Sequence, residues 1–152
     1  MENSGTAGAT SFYQAGYEAK NAFLKPGSGK RYCSYIIRVW PVYIWMKFAN
    51  PHRISQLGFS SIGTEDYYAP KRFDIVGSSN CATMTDHGPW TVLRHVPDAG
   101  FPVYSGQDVF KSWKVPQQKR QAFPCIGLKV ERTLAMGQLS LKNIQMWEDV
   151  AL

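Results

Sequence analysis

Two stretches decide the fold of this chain, FPCIGLKVER at residues 123–132 and LSLKNIQMWE at residues 139–148. In the first stretch, Ile126, Leu128 and Val130 alternate with glycine and with charged side chains. This period of two is typical of a β-strand that has one face in a core and the other in water. The two stretches therefore predict a pair of strands that close a β-architecture.

The same alternation recurs upstream, and segments with Gly, Pro, Asn or Asp separate the candidates. We predict strands near residues 42–48, 54–60, 72–78, 90–95, 109–115, 122–131 and 138–147. A short helix is predicted within Tyr17–Leu24, which Pro26 and Gly27 end. Short strands without a second helix indicate an all-β fold, an antiparallel sandwich or jelly roll.

The composition is that of one globular domain. The chain has 152 residues, 44% of them hydrophobic and 14% aromatic, which excludes a disordered chain. Residues 1–8 are small and polar and predict a flexible leader, so we expect the domain at residues 9–150. No apolar run reaches the roughly 18 residues of a membrane span, and the first residues lack the features of a signal peptide.

The net charge of +6 does not predict a nucleic-acid site. Basic residues are scattered over separate segments, with no run of five or more. A solvated basic surface accounts for this pattern, with some preference for acidic protein surfaces or anionic lipid. We therefore expect no specific nucleic-acid partner.

Cysteine usage bears on the compartment. Cys33, Cys81 and Cys125 are odd in number and lack C-x-x-C spacing, so at most one disulfide can form and one thiol remains free. The chain also has no Asn-x-Ser/Thr glycosylation site. Together these features favour reduced thiols and a cytoplasmic location; the alternative is an extracellular domain taken from a longer secreted protein.

The sequence motifs that could indicate catalysis, a cofactor or a metal are incomplete. The segment GSGK at residues 27–30 lacks both the earlier glycine and the following Ser or Thr of a phosphate-binding loop. His52, His87 and His95 show no zinc-ligand spacing with the cysteines. We therefore predict a protein that is not an enzyme and has no cofactor and no metal.

The order of several segments resembles the discoidin family, the type C domain of coagulation factors V and VIII, within the galactose-binding-like fold. The resemblance covers about residues 9–148, and an ordered series of segments carries it: ATSFY at 9–13, YEAKNAF at 17–23, YCS at 32–34, VYIWMKFANPHRI at 42–54, APKRFDIVGSSN at 69–80, WTVL at 90–93 and the closing residues 126–147.

This resemblance implies an eight-stranded antiparallel jelly roll that binds its ligand through loops at one end. Family members recognise sugars, anionic phospholipids, collagen or other proteins. By position, the candidate rim elements are the loop Lys25–Tyr32, the segment Ile62–Tyr68 and the loop between the strands near residues 95 and 109.

The usual galactose and calcium residues of the family are not found at the matching positions. Leu24–Gly27 replaces the Asp-Gly turn, Cys33 lies close to the His position, and Ser60 and Ser61 stand about where Arg is expected. Asn143 stands where a calcium-binding Glu is usual. A structural calcium is not expected, because hard cations prefer charged oxygen ligands.

We therefore predict a non-catalytic recognition module that binds a protein partner through aromatic and basic loop residues, since Tyr, Trp and Arg dominate protein hot spots. One alternative is a lectin or cell-adhesion module with a non-galactose site for a glycoconjugate; another is a domain that binds an anionic phospholipid membrane. The tyrosines could instead be structural, packing under a loop or capping a strand. The predicted ligand-binding residues are Lys30, Arg31, Tyr32, Asp66, Tyr67 and Tyr68.

Overall fold

The computed structural model describes residues 5–10, 19–24, 29–33, 40–80, 89–135 and 137–149. Its strands are β1 (Thr6–Ala9), β2 (Tyr32–Cys33), β3 (Val42–Ser60), β4 (Pro70–Ser78), β5 (Thr91–Val96), β6 (Phe110–Lys114), β7 (Ala122–Thr133) and β8 (Ser140–Glu148). Its helical segments are α1 (Ala19–Ala22) and two 3₁₀ segments, Gly63–Tyr68 and Gln117–Lys119.

The long strand β3 belongs to both layers of a sandwich. Its first part, Val42–Lys47, pairs with β1 and β7, which gives one sheet in the order β1-β3-β7-β4-β5. Its second part, Ile54–Ser60, pairs with β6 and β8, and β8 pairs with β2. The register with β7 shifts between Lys47 and His52, where β3 passes from one sheet to the other. All these pairings are antiparallel, so the predicted antiparallel β-sandwich is confirmed.

The predicted strands match the observed ones closely, with two differences. The candidates at 42–48 and 54–60 are one bent strand, because the backbone stays extended through the bend. Strands β1 and β2 were not predicted: β1 is built from small residues, and β2 has only two residues.

The predicted leader and helix overlap two observed elements. Residues 6–8 of the predicted leader lie in β1, and the domain limits stay a prediction. Helix α1 lies within the predicted helical segment, and residues 17–18 of that prediction are outside the described ranges.

The core lies between the two sheets. The side chains of Ile44, Leu57, Ile75 and Leu128, from three neighbouring strands, are wholly buried there, as the alternating pattern requires. A second, smaller cluster forms on the outer face of the first sheet, where Tyr43, Trp45 and Cys125 pack with Trp90. Both faces of this part of β3 are therefore covered. No helix in the described part of the chain is long and apolar enough to cross a membrane.

The cysteines differ from the expectation of reduced thiols. Cys33 is not disulfide-bonded; its thiol is buried, and burial raises its pKa. Cys125 is disulfide-bonded, so the expectation is wrong for this residue. Disulfides are typical of oxidising compartments. This bond weighs against the reasoning that favoured the cytoplasm, and the compartment itself stays a prediction.

The bend in β3 brings several loops together. Because β3 folds back near residues 48–53, its two ends lie at the same end of the sandwich, which we call the loop end. The connections at 61–69 and 97–109 meet there with residues 29–31, 134–135 and 137–139. Backbone hydrogen bonds join them: the Ala135 N–H donates to the Tyr67 carbonyl at 3.0 Å, and the Ala99 N–H to the Lys71 carbonyl at 2.8 Å.

Candidate ligand-binding site at the loop end

Three tyrosines form an aromatic surface at the loop end. The ring centroids of Tyr67 and Tyr68 are 4.5 Å apart, in an edge-on arrangement. The rings of Tyr67 and Tyr104 are stacked, with centroids 5.8 Å apart and an interplanar angle of 29°. Tyr104 is 81% exposed, whereas Tyr67 and Tyr68 are half-buried. We call these three residues the tyrosine platform.

A buried carboxylate holds the platform in place. Asp66, only 2% exposed, accepts hydrogen bonds from the backbone N–H groups of Tyr104 and Ser105, both at 2.8 Å, and from the Ser105 hydroxyl at 2.9 Å. Tyr104 has a φ of 58°, a left-handed conformation that few residues other than glycine adopt without support. Asp66 therefore fixes the loop conformation that presents the Tyr104 ring to solvent.

The ionisation of Asp66 reflects the same contacts. Burial by itself would raise the pKa of this carboxyl. The hydrogen bonds donated by Tyr104, Ser105 and Gly106 outweigh burial, and they lower the pKa below its ordinary value. Asp66 is therefore charged in the folded protein at neutral pH, and both of its oxygens are engaged with the loop.

A second carboxylate joins the same two loops. The Asp108 Oδ1 accepts a hydrogen bond from the Gly63 N–H at 2.7 Å, and its Oδ2 pairs with the Lys142 ammonium. The bond with Lys142 is the main reason that the pKa of Asp108 is lowered. A Cβ at Gly63 would lie 2.6 Å from the backbone of Gly106 and Gln107, so this close approach requires glycine.

A polar network ties the start of β2 to the platform. The Arg31 guanidinium donates to the Glu65 carboxylate at 2.7 Å. The other Glu65 oxygen accepts a hydrogen bond of 2.8 Å from the Ser140 hydroxyl, which lies 3.3 Å from the Cys33 sulfur. Arg31 and Glu65 are both partly buried, so the pair is shielded from solvent more than a surface pair is. The network holds the base of the 3₁₀ segment Gly63–Tyr68.

A cleft opens beside the platform. Its volume is about 260 Å³, and charged and apolar side chains share its lining. The residues that matter for its chemistry are Asp66, Lys71, Asp98, Phe101, Val103 and Leu134. Beneath it, Phe101 packs on the buried Phe59 ring and the half-buried Trp113 ring, so the floor of the cleft packs against the core.

The structure brings the predicted site residues to one end of the sandwich but gives them different positions. Lys30 is exposed, Arg31 is paired with Glu65, and Tyr67 and Tyr68 belong to the platform. Tyr32 does not lie in an exposed loop as expected; it is in β2 with 0% exposure, and burial raises its pKa. Its side chain belongs to the hydrophobic core.

The sequence analysis did not single out the most exposed aromatic residue of the site. Tyr104 lies in the loop between the strands near 95 and 109, which was named as a rim element without any residue. An aromatic residue between Pro102 and Gly106 is a signal that could have found it. Residues 25–28 of the predicted rim lie outside the described ranges. Among the described residues, no group of three or more His, Cys, Asp or Glu side chains is arranged to hold a metal ion.

No protein-family model and no curated protein matches the sequence. Solved structures match the fold. The chain has a discoidin-like, galactose-binding-like fold. Chitosan-binding module 2 of a chitosanase/glucanase from Paenibacillus sp. IK-5, in complex with chitotriose, has a TM-score of 0.69 and 12% identity, over 94% of this chain and 95% of that one.

Two further structures come from other sources. A Clostridium perfringens module in complex with GalNAc-β-1,3-galactose has a TM-score of 0.69 and 14% identity, over 93% of this chain and 94% of that one. The fucolectin of striped bass, Morone saxatilis, has a TM-score of 0.66 and 12% identity, over 98% of this chain and 47% of that one. At these identities the similarity shows the fold alone. The resemblance to the discoidin family seen in the sequence is therefore confirmed for the fold.

Proposed function

We propose that this domain is a non-catalytic recognition module that binds carbohydrate at its loop end. The observation that carries the proposal is the Tyr104 ring, exposed on one face, stacked on Tyr67 and held by a buried carboxylate. Aromatic rings offer a large apolar face with little conformational entropy to lose. The apolar C–H face of a sugar ring can stack on such a ring while its hydroxyls bond to neighbouring polar groups.

The scale of the site favours a sugar over a protein. A cleft of about 260 Å³ lies just below the roughly 300–1,000 Å³ of small-molecule sites, which suits one sugar residue. A stable protein interface usually needs about 800 Å² from each partner, with a well-packed apolar centre. The exposed large apolar side chains beside the cleft are few, Val103, Tyr104 and Leu134. Solved structures of the same fold were determined with chitotriose and with GalNAc-β-1,3-galactose bound, which supports the same choice. Binding to a protein partner stays a prediction.

The charges at the loop end do not favour an anionic membrane. The basic side chains of Arg31 and Lys142 already pair with Glu65 and Asp108. Two carboxylates, Asp66 and Asp98, line the cleft against one ammonium, that of Lys71. With the exposed Lys30 included, the four basic and four acidic side chains named here for the loop end balance. Membrane binding stays a prediction.

A glycan array followed by calorimetry with the best glycan tests the proposal. Replacing Tyr104→Ala should weaken binding about tenfold or more, which corresponds to about 1.4 kcal/mol, without changing the melting temperature by more than a few degrees. The matched control is Trp147→Ala, an exposed aromatic residue on β8 outside the loop end, which should leave affinity unchanged. Equal effects of the two substitutions, or no glycan bound at all, would overturn the proposal.

A further inference from the structure

Two opposite charges line the cleft without bonding to each other. Among the described residues, the Lys71 ammonium has no hydrogen-bond or ion-pair partner, although its backbone carbonyl is held by the Ala99 N–H. The Asp98 Oδ1 accepts a hydrogen bond from the Gly100 N–H at 3.0 Å, and its second oxygen has no partner within the described part of the chain. The cleft thus offers one free donor group and one free acceptor oxygen.

The backbone that carries these two groups is fixed. Two hydrogen bonds hold the backbone of Ala99, the residue after Asp98. Its N–H donates to the Lys71 carbonyl at 2.8 Å, and its carbonyl accepts from the Lys111 ammonium at 2.7 Å. Gly100 follows with a φ of 72°, the left-handed conformation that favours glycine. Donor and acceptor are therefore attached to a preformed frame, which lowers the entropy cost of ligand binding.

An apolar lining completes the cleft. Val103 and Leu134 are both partly exposed, at 36% and 40%, and Phe101 forms the floor. Side chains of this size at the surface of a polar loop have apolar area that a ligand methyl group could cover, which removes apolar surface from water. The cleft therefore combines a donor, an acceptor and an apolar surface in one small volume.

We propose that this cleft binds the acetamido group of a 2-acetamido sugar whose ring stacks on the tyrosine platform; this inference rests on the proposed function. The amide N–H would donate to Asp98, the amide carbonyl would accept from Lys71, and the methyl group would pack on Val103 and Leu134. Val103 directly precedes Tyr104, and Asp66 both lines the cleft and holds the Tyr104 loop, so the cleft and the platform are contiguous.

Other substituents at the same sugar carbon use fewer of these groups. A hydroxyl would reach the donor or the acceptor but leave the apolar lining uncovered. A free amine, charged at neutral pH, would be attracted by Asp98 but repelled by Lys71, and it also has no methyl group. The expected order of affinity is acetamido first, with the hydroxyl and amine sugars about tenfold or more weaker.

Ligand-observed NMR with methyl glycosides tests the inference on the intact chain. The ligands are N-acetylglucosamine and N-acetylgalactosamine, each compared with its hydroxyl counterpart (glucose, galactose) and its free-amine counterpart. We expect at least one acetamido sugar to bind about tenfold more tightly than both counterparts, with the strongest saturation transfer at its acetyl methyl group. Equal affinity for the acetamido and hydroxyl sugars would overturn this inference alone. Preference for the amine sugar would also overturn it, because recognition would then depend on attraction by the Asp98 charge. No binding by any of these glycosides would overturn this inference alone if the glycan array finds another ligand, and both proposals if the array finds none.

Substitutions locate the preference in the cleft. Lys71→Met and Leu134→Ser should each reduce the acetamido-to-hydroxyl affinity ratio several-fold, because the acetamido group uses the donor and the apolar lining together. The controls are Lys119→Met, an exposed lysine in the 3₁₀ segment Gln117–Lys119, and Val92→Ser, a valine on β5 with exposure similar to that of Leu134. An unchanged ratio in both cleft variants would place the acetamido site elsewhere and overturn the assignment.

Discussion

The two ends of the sandwich use their acidic side chains in different ways. At the loop end, Asp66 and Asp108 accept hydrogen bonds from backbone N–H groups of neighbouring loops, and Asp108 also pairs with the Lys142 ammonium. At the opposite end, Glu148 pairs with His52, and Asp149 pairs with the side chains of Arg53 and Arg120 at 3.0 and 3.2 Å. A carboxylate bonded to backbone N–H groups fixes a loop conformation, whereas one bonded to long cationic side chains mainly holds those side chains.

This difference separates the proposed binding end from a structural end. Buried hydrogen bonds to a charged group are worth about 1.5–3 kcal/mol each, and exposed ion pairs about 0–1 kcal/mol. The loop end therefore holds defined loops that present an exposed aromatic ring, Tyr104, while the opposite end closes the sheets with side-chain pairs. Substitutions at the two ends should affect binding and stability differently.

The largest effect should come from removing the strand that both ends share. Strand β8 lies between β3 and β2 and contributes Leu141, Ile144 and Met146 to the core. Truncation after Gly137 should abolish the cooperative thermal transition measured by circular dichroism. A chain ending at Asp149, which keeps β8, is the control and should melt like the parent. A cooperative melt of the shorter chain would contradict this topology.

The comparison itself is tested by two matched carboxylate-to-amide changes. Asp66→Asn should weaken ligand binding about tenfold or more and destabilise the fold by about 1–3 kcal/mol, because an amide cannot accept the same set of hydrogen bonds. Asp149→Asn at the opposite end should leave affinity unchanged. Calorimetry and thermal melts measure both effects. Equal losses of affinity would show that the two ends do not differ as the contacts indicate.

Acid should affect the loop end through the same carboxylates. The pKa values of Asp66 and Asp108 are lowered in the folded state, so the stability that they contribute is present above the ordinary carboxyl pKa of about 3.9 and is lost as pH falls through the lowered values. Ligand affinity should therefore be constant from neutral pH down to about 5 and fall below about 4. In Asp66→Asn this acid-dependent decline should be smaller. A decline beginning near neutral pH would point to a different titrating group.

The smallest effect is expected for a single ion pair at the opposite end. Arg53 is about half exposed, and its pair with Asp149 is one of two that this carboxylate makes. Replacing Arg53→Gln should change the free energy of unfolding by less than about 1 kcal/mol and leave binding unchanged. Chemical denaturation measures the first value. A loss above about 2 kcal/mol would mean that the opposite end relies on this pair far more than its exposure indicates.

Much of the scaffold could be predicted because strand periodicity is local. The alternation at residues 42–48 and 126–130 marks which side chains face the core, since successive residues of a strand point to opposite faces. Strands with weak local signals were not predicted. Thr6–Ala9 is a strand because β3 lies beside it, and its small residues allow the Trp45 ring to pack over Gly8.

By itself, the sequence determined the all-β fold, the buried faces of the long strands and the segments that form the rim, because each depends on residues close together in the chain. Only the tertiary structure decided which rim residues meet. Asp66 and Tyr104 are 38 positions apart, and Arg31 and Glu65 are 34 apart, so their contacts exist only because β3 folds back and brings separate loops to one end. A distant contact also buries Tyr32 away from the surface of the site. Its two-residue strand, β2, joins the sheet by pairing with β8, more than a hundred residues later.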